Sequence, residues 1–284
     1  MLSDITRTLP VKATIHHHGY EGWLLRSGAV PFTLSHAAAV LPLHRLSRAR
    51  LPLAALMIGS MAPDFGYFFS LESNRLVTHS FTGLFTFALP VGLFVWLFYV
   101  HVLEKATITL LGDSWHSRFA RTEKTTLALI TRACIAIVVG AFTHILWDGF
   151  THRGTLATDA FPALLGPTPG MSWLPIYHFL HGLSSVLGLV VLAMWAHGLR
   201  RQPARALIRP YHISDRARFV AVALLAAVSL LVGLVEWLPY AGLRYDLQLF
   251  YAAVGSMSGF FVAWCGIAVW MWLGARATGQ KSVR

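Results

Sequence analysis

Six apolar runs, each close to the length of a bilayer crossing, constrain this chain more than any other feature: 51–70, 84–103, 127–148, 173–198, 219–238 and 249–274. A transmembrane helix needs about 20 predominantly apolar residues. In lipid, its backbone polar groups must be satisfied within the segment. The expected fold class is therefore all-α, a polytopic transmembrane helix bundle of about six spans with a short N-terminal half-helix. Composition agrees: 56% of the residues are hydrophobic and 12% charged, against about 25% charged in soluble domains. The two cysteines, Cys134 and Cys265, lie inside apolar runs and read as small buried residues rather than a disulfide pair.

Net charge is +11 and the pI is near 10.3. Such a balance can mark nucleic-acid binding, but here the basic residues lie between apolar runs, so no nucleic-acid partner is expected. Lys and Arg number three in 44–50, four in 104–126, six in 199–218 and three in 275–284. The alternate links 71–83, 149–172 and 239–248 hold one each. The positive-inside rule places the basic set and the C-terminus in the cytoplasm. The expected location is a bacterial inner (cytoplasmic) membrane, with the bilayer itself as the main partner.

Residues 1–30 lack a sustained period and are expected to be a poorly ordered extension. His16, His17 and His18 are read there as incidental. Val30 is a candidate alternative start, because valine can be encoded by an alternative start codon. A single transmembrane domain is expected over 31–275, with 276–284 as a cytoplasmic tail. Within it, 31–43 should form a short helix opened by Pro31. Pro63 should break the first span just before Asp64. Pro90 should kink the second span, and Gly255 and Gly259 are spaced as in a close helix-packing face.

The polar residues of the apolar runs carry the chemistry. His144 and Asp148 are four apart and share one helix face. A histidine and a carboxylate at the end of a span are costly unless they pair or bind something. Asp64 stands at a break in the backbone, which at membrane depth is tolerated where it lines a protein-enclosed cavity. By the charge count, Asp64, His79, Asp148 and His152 all fall toward the non-cytoplasmic side. His36 sits on a helix of about 18 Å, at 1.5 Å per residue, that should end near mid-membrane. Imidazole and carboxylate are ligands for a divalent metal, zinc or manganese, and a catalytic zinc site typically uses three protein ligands and an open position. More than three or four ligands would suggest two ions.

Each residue alone has an ordinary explanation. His36 can be a satisfied core histidine, Asp64 a cap, His79 an interfacial residue, and His144 with Asp148 a bond between helices. Glu236 can be an extra acid or a partner for Arg244. Together the residues point more strongly to a site, because they gather at helix ends on one side.

Four segments carry a resemblance: Pro31-Phe-Thr-Leu-Ser-His-Ala37, Gly59-Ser-Met-Ala-Pro-Asp-Phe65, Arg75-Leu-Val-Thr-His-Ser80 and Thr143-His-Ile-Leu-Trp-Asp148. In this order they resemble a domain-of-unknown-function family of bacterial integral inner-membrane proteins whose chains often begin Met-Pro-Phe-Thr. That family is similar in turn to the LexA-regulated membrane-bound metal-dependent hydrolases. The resemblance covers residues 31–155; beyond them it is only that of generic spans. It implies that His36, Asp64, His79, His144 and Asp148 are metal ligands. One departure stands out. The hydrolases usually have His-Arg-Gly before Thr-His-Ser, where this chain has Asn74-Arg75-Leu76. If that histidine is a ligand, the site is altered, or His152 or His178 takes its place.

The expected function is metal-dependent hydrolysis of a phosphoester or lipid-linked substrate. Asp64 or Asp148 would orient or deprotonate water, Arg75 would hold an anionic group, and His79 would serve as ligand or acid. Two alternatives use the same residues. One is a transporter or channel with a His/Asp metal or proton path; the other is a non-catalytic scaffold in which the His–Asp pairs hold helices together.

Overall fold

The structure is a computed structural model that describes residues 33–68, 75–111, 125–200, 210–242 and 245–279. The N-terminal extension, its three histidines, Val30 and Arg244 lie outside the described residues. A 3-10 turn, Thr33–Ala38, leads into α1, Val40–Leu46. Helix α2, Leu53–Met61, passes through a 3-10 turn, Ala62–Asp64, into the single turn α3, Phe65–Phe68. A further turn, α4, is Arg75–Thr78. Five longer helices follow: α5, Leu84–Leu110; α6, Leu127–Thr151; α8, Ile176–Arg200; α9, Asp215–Trp237; and α10, Tyr245–Ala277. The short α7, Leu156–Ala160, and a hairpin of β1, Pro167–Thr168, and β2, Met171–Pro175, fill the connection between α6 and α8. The chain is an all-α membrane helix bundle.

Five described helices are long and apolar enough to cross a membrane by themselves. The run 51–70 is organised differently, as the sequence-level break at Pro63 leads one to expect. Pro63 has no N–H to give the helical ladder, and the chain tightens into the 3-10 turn that presents Asp64. The second span is longer than expected. It runs to Leu110, taking in the start of the 104–126 segment, and is π-wound at Leu84–Ala88 and Tyr99–Leu103. Pro90 lies just beyond the first π turn, where its missing donor disturbs the regular register. The fourth span starts at Ile176, because residues 171–175 belong to the hairpin. Both cysteines are free.

The bundle closes around a seam between α2 and α6. A Cβ built on Gly59 would strike the carbonyl oxygen of Ile137, and one on Gly140 would strike that of Leu56. Glycine at both positions lets the two backbones touch. Gly92 on α5 receives the Ile137 side chain, where an added Cβ would lie 2.7 Å from Cγ2. Val40, Leu56, Trp96, Ala133 and Ile137 make the core around this seam. Helices α9 and α10 form a second close pair. Gly255 lies under the Glu236 side chain and Val232, and Gly259 lies against Val228 and Val232. Glu236 is thus an exposed residue covering a glycine of the helix pair.

The seam is testable. Gly140→Val should markedly lower the thermal midpoint of the detergent-solubilised protein, since overpacking a tight interior costs about 1–3 kcal/mol or more. Gly266→Ala, where an added Cβ meets nothing within 4 Å, should leave it nearly unchanged. Equal effects from the two would show that the α2–α6 approach does not limit stability.

Candidate metal centre

The polar residues of the bundle gather beside the seam, about 5–10 Å from the C-terminal end of α6 at 1.5 Å per residue. Helix α6 is opened by Thr126, whose hydroxyl accepts from the Leu129 N–H, and ends where His152 turns to extended backbone. His144 and Asp148 lie on its inward face; their relative exposures are 0% and 4%. The glycine seam brings the end of α2 against this face. His144 Nδ1 therefore donates to the Ser60 carbonyl at 2.8 Å, which leaves Nε2 as its free nitrogen. The 3-10 turn after α2 delivers Asp64, whose Oδ2 accepts from the Thr33 hydroxyl at 2.8 Å.

Four chain segments converge here. His79 follows α4, with Nδ1 2.9 Å from the Thr78 hydroxyl. Its Nε2 lies 3.2 Å from Asp64 Oδ1, 3.5 Å from Asp148 Oδ2 and 3.3 Å from His144 Nε2. His144 Nε2 is 3.7 Å from Asp64 Oδ1 and 3.5 Å from Asp148 Oδ2. His36 stacks on the His144 ring with centroids 4.0 Å apart, and its Nε2 is 3.5 Å from Asp148 Oδ1. The half-helix that a length argument leaves near mid-membrane thus reaches the same cluster. It is held there by α8, where Gly188 has no Cβ to collide with Ser35.

Two ligand triads emerge, His36–His144–Asp148 and Asp64–His79–His144, the ligating atoms of each within 4.8 Å of one another. Asp64 Oδ1 and Asp148 Oδ1 are buried and accept no hydrogen bond. Buried polar atoms are normally bonded, so an orphaned carboxylate oxygen calls for an explanation. Ligands bonded at 2.0–2.2 Å to one tetrahedral ion stand about 3.3–3.6 Å apart, close to the 3.2–3.7 Å separating these oxygens from the imidazole nitrogens. The donor set and its spacing fit a divalent cation.

Arg75 forms one wall. Its guanidinium donates to Asp148 Oδ2 at 2.7 Å. Burial works to lower its pKa, but Asp148, Tyr67 and Asp64 outweigh burial and hold it above its ordinary value. Arg75 and His36 are the least buried members of the group, with side-chain exposures of 16% and 11% against 0–7% for the others, so they flank its open side.

Two participants carry no clear signal of their own in the sequence. Thr33 and the Ser60 carbonyl orient Asp64 and His144, and only their place inside the motif segments marks them. His152, a reserve at the sequence level, has Nδ1 3.5 Å from Asp148 Oδ2. It also meets His181 of α8 edge-on, with ring centroids 5.1 Å apart. His178 sits one turn earlier and stacks on Tyr177.

Removing Arg75 leaves Asp148 without its shortest ion pair. In chelator-treated protein, Arg75→Met should lower the thermal midpoint substantially, because breaking a buried ion pair costs about 3–5 kcal/mol. Arg218→Met, which breaks a pair with the exposed Asp215, should have little effect. A comparable loss in both would mean that Asp148 does not depend on Arg75.

No curated protein and no solved structure matches the chain. A family match spans residues 30–270. It includes the α2–α6 seam, all five converging residues and most of the 284-residue chain. The chain belongs to the family described as domain of unknown function DUF4184.

Proposed function

We propose that this protein is a membrane-bound metal-dependent hydrolase of a phosphoester or lipid-linked substrate, with His36, Asp64, His79, His144 and Asp148 as the ligand pool for a divalent cation such as zinc or manganese. The observation that carries this reading is the pair of buried carboxylate oxygens that meet imidazole nitrogens at ligand-to-ligand spacing without a well-formed hydrogen bond. The motif resemblance to LexA-regulated membrane-bound metal-dependent hydrolases supports it independently. When bound, the cation supplies Lewis-acid polarisation and makes water acidic enough to attack near neutral pH.

The residues around the cation have separable tasks. Thr33 and Ser60 hold Asp64 and His144 in orientation, as second-shell partners of metal ligands do. Arg75, at the open side, binds an anionic oxygen of the substrate while keeping Asp148 in place. Asp64 accepts a proton from the attacking water. His79, between both carboxylates, serves as ligand or donates a proton to the leaving group. Leu76, Phe81, Leu156, Phe161 and Trp173 are strongly exposed on the connecting segments at this end of the bundle. Apolar and aromatic residues at an interface suit a substrate with a lipid tail. The charge distribution supports a bacterial inner membrane, with this end non-cytoplasmic and the C-terminus in the cytoplasm.

Packing supports hydrolysis over a conducting path. Along α6 from His144 toward its N-terminus, the inward residues are Ala141, Gly140, Ile137, Ala136 and Ala133, all buried. Conduction needs polar groups that continue through the membrane. The scaffold reading leaves the two free carboxylate oxygens without a purpose.

Elemental analysis of the purified full-length protein should find at least one transition-metal ion per chain, and His144→Ala should lose it. Thr33→Val should retain the fold but bind the cation about 10–100-fold more weakly. A metal-free protein that binds no added Zn2+ or Mn2+ in equilibrium dialysis would remove the proposal.

A further inference from the structure

Closeness alone lets His144 join either of two triads, with Asp64 and His79 or with His36 and Asp148. Ring direction separates them. A neutral imidazole binds a cation through a nitrogen lone pair that lies in the plane of the ring. His144 has one nitrogen to offer, Nε2, because Nδ1 donates to the Ser60 carbonyl. The His79 ring meets the His144 ring edge-on, at 61°, and their Nε2 atoms approach to 3.3 Å. Rings so placed can aim two lone pairs at one point. Asp64 Oδ1 completes the set, 3.2 Å from His79 Nε2 and 3.7 Å from His144 Nε2. Three protein ligands then leave a fourth position open, as in catalytic zinc sites.

The His36 ring is turned differently. It lies over the face of His144, with centroids 4.0 Å apart and planes only 24° from parallel. Lone pairs in nearly parallel planes run side by side, and they do not meet within the about 2.0–2.1 Å of a zinc–imidazole bond. A cation in the plane of His144 is therefore out of the plane of His36. His36 Nε2 faces Asp148 Oδ1 at 3.5 Å, while Asp148 Oδ2 accepts from Arg75 at 2.7 Å. One carboxylate thus stands between the two residues that flank the open side.

We propose that His36 is a substrate-binding residue and not a metal ligand. A single cation sits on Asp64, His79 and His144. Beside it, His36 and Arg75 hold the substrate, one at each oxygen of Asp148. An imidazole N–H and a guanidinium together offer donors to several oxygens of one anion. A phosphoryl group has those oxygens; a neutral carboxylic ester does not. The substrate class narrows accordingly to phosphoesters. This inference rests on the metal-dependent reading above, and it departs from the motif resemblance, which makes His36 a ligand.

The variant His36→Phe keeps a ring on the face of His144 and removes both nitrogens. Full-length protein in detergent is stripped with chelator and reloaded with Co2+, whose visible absorption reports its ligands; inorganic phosphate is then titrated in. The variant should retain one Co2+ per chain with an unaltered spectrum. It should bind phosphate about tenfold more weakly, the effect of losing one hydrogen bond to a charged group. His36→Gln, which restores an N–H, should recover part of that loss; no recovery would reduce His36 to packing and overturn its contact with substrate. A folded His36→Phe protein that loses Co2+, or whose spectrum changes before phosphate is added, would make His36 a ligand, overturning the proposal and leaving the metal-dependent reading standing. Unchanged phosphate affinity, or unaltered Co2+ protein that binds no phosphate, would overturn the substrate contact. Unaltered protein that takes up no Co2+ would overturn both this proposal and the reading beneath it. Should His36→Phe fail to fold, the paramagnetically shifted imidazole N–H signals of the unaltered Co2+ protein decide: two coordinated histidines are expected, and a third would overturn the assignment.

Discussion

Two carboxylates with free oxygens inside an apolar bundle set the terms for everything around them. An isolated charge in such surroundings costs several kcal/mol or more unless it is compensated. Asp64 and Asp148 sit 2% and 4% exposed, within reach of the same pair of imidazoles. Arg75 compensates one of them directly, and Thr33 bonds the other. What remains without a well-formed hydrogen bond, one oxygen on each, is concentrated at a single place. A fold that merely tolerated these residues would dispose of those oxygens on backbone N–H groups or hydroxyls. Here they face the imidazole nitrogens of His36 and His79.

That arrangement depends on backbone approach far more than on side-chain reach. Gly59 and Gly140 allow α2 and α6 to touch, and the contact includes the Ser60 backbone and lies one turn from His144. Pro63 then ends α2 at the depth where Asp64 must turn inward. Small residues, a helix breaker and an acid therefore form one device: the first permits contact, the second frees the backbone, and the third uses the opening. Gly188 plays the matching part on α8, where it admits the turn bearing His36.

Much of this is legible in the sequence, for identifiable reasons. Apolar runs of bilayer length have few alternative folds, so the helical class follows from composition and spacing. The i, i+4 pair on α6 and the Pro-Asp turn are local features, and local geometry predicts their direction. Thr33, Ser60 and His181 are different, because their roles exist only across segments. The reserve residue of α8, His178, stacks on Tyr177, and it is His181, one turn on, that meets His152. A rise-per-residue argument counts length along the helix of His36 but not the position of that helix in the bundle, so it does not reveal that the ring stacks on His144. The Ala62–Asp64 turn and the π-wound stretches of α5 likewise show that helix length alone is a poor ruler here. The hairpin of residues 167–175 was missed because its apolar Met171, Trp173 and Leu174 look like the start of the following span.

The same dispersion has a thermodynamic consequence. His36, Asp64, His79 and the His144–Asp148 pair come from four segments, with 65 residues between His79 and His144 alone, so no preformed site exists before the bundle closes. A cation that binds only the closed arrangement stabilises it by RT ln(1 + [L]/Kd), about 2.7 kcal/mol at a hundredfold excess over Kd. In its absence the cluster keeps two unsatisfied oxygens and closely apposed imidazoles, so the closed state is weakest at the site itself. On the proposed metal-dependent reading, cation binding and helix packing form one equilibrium. The α2–α6 seam, which touches no ligand atom, belongs to the site as much as His144 does.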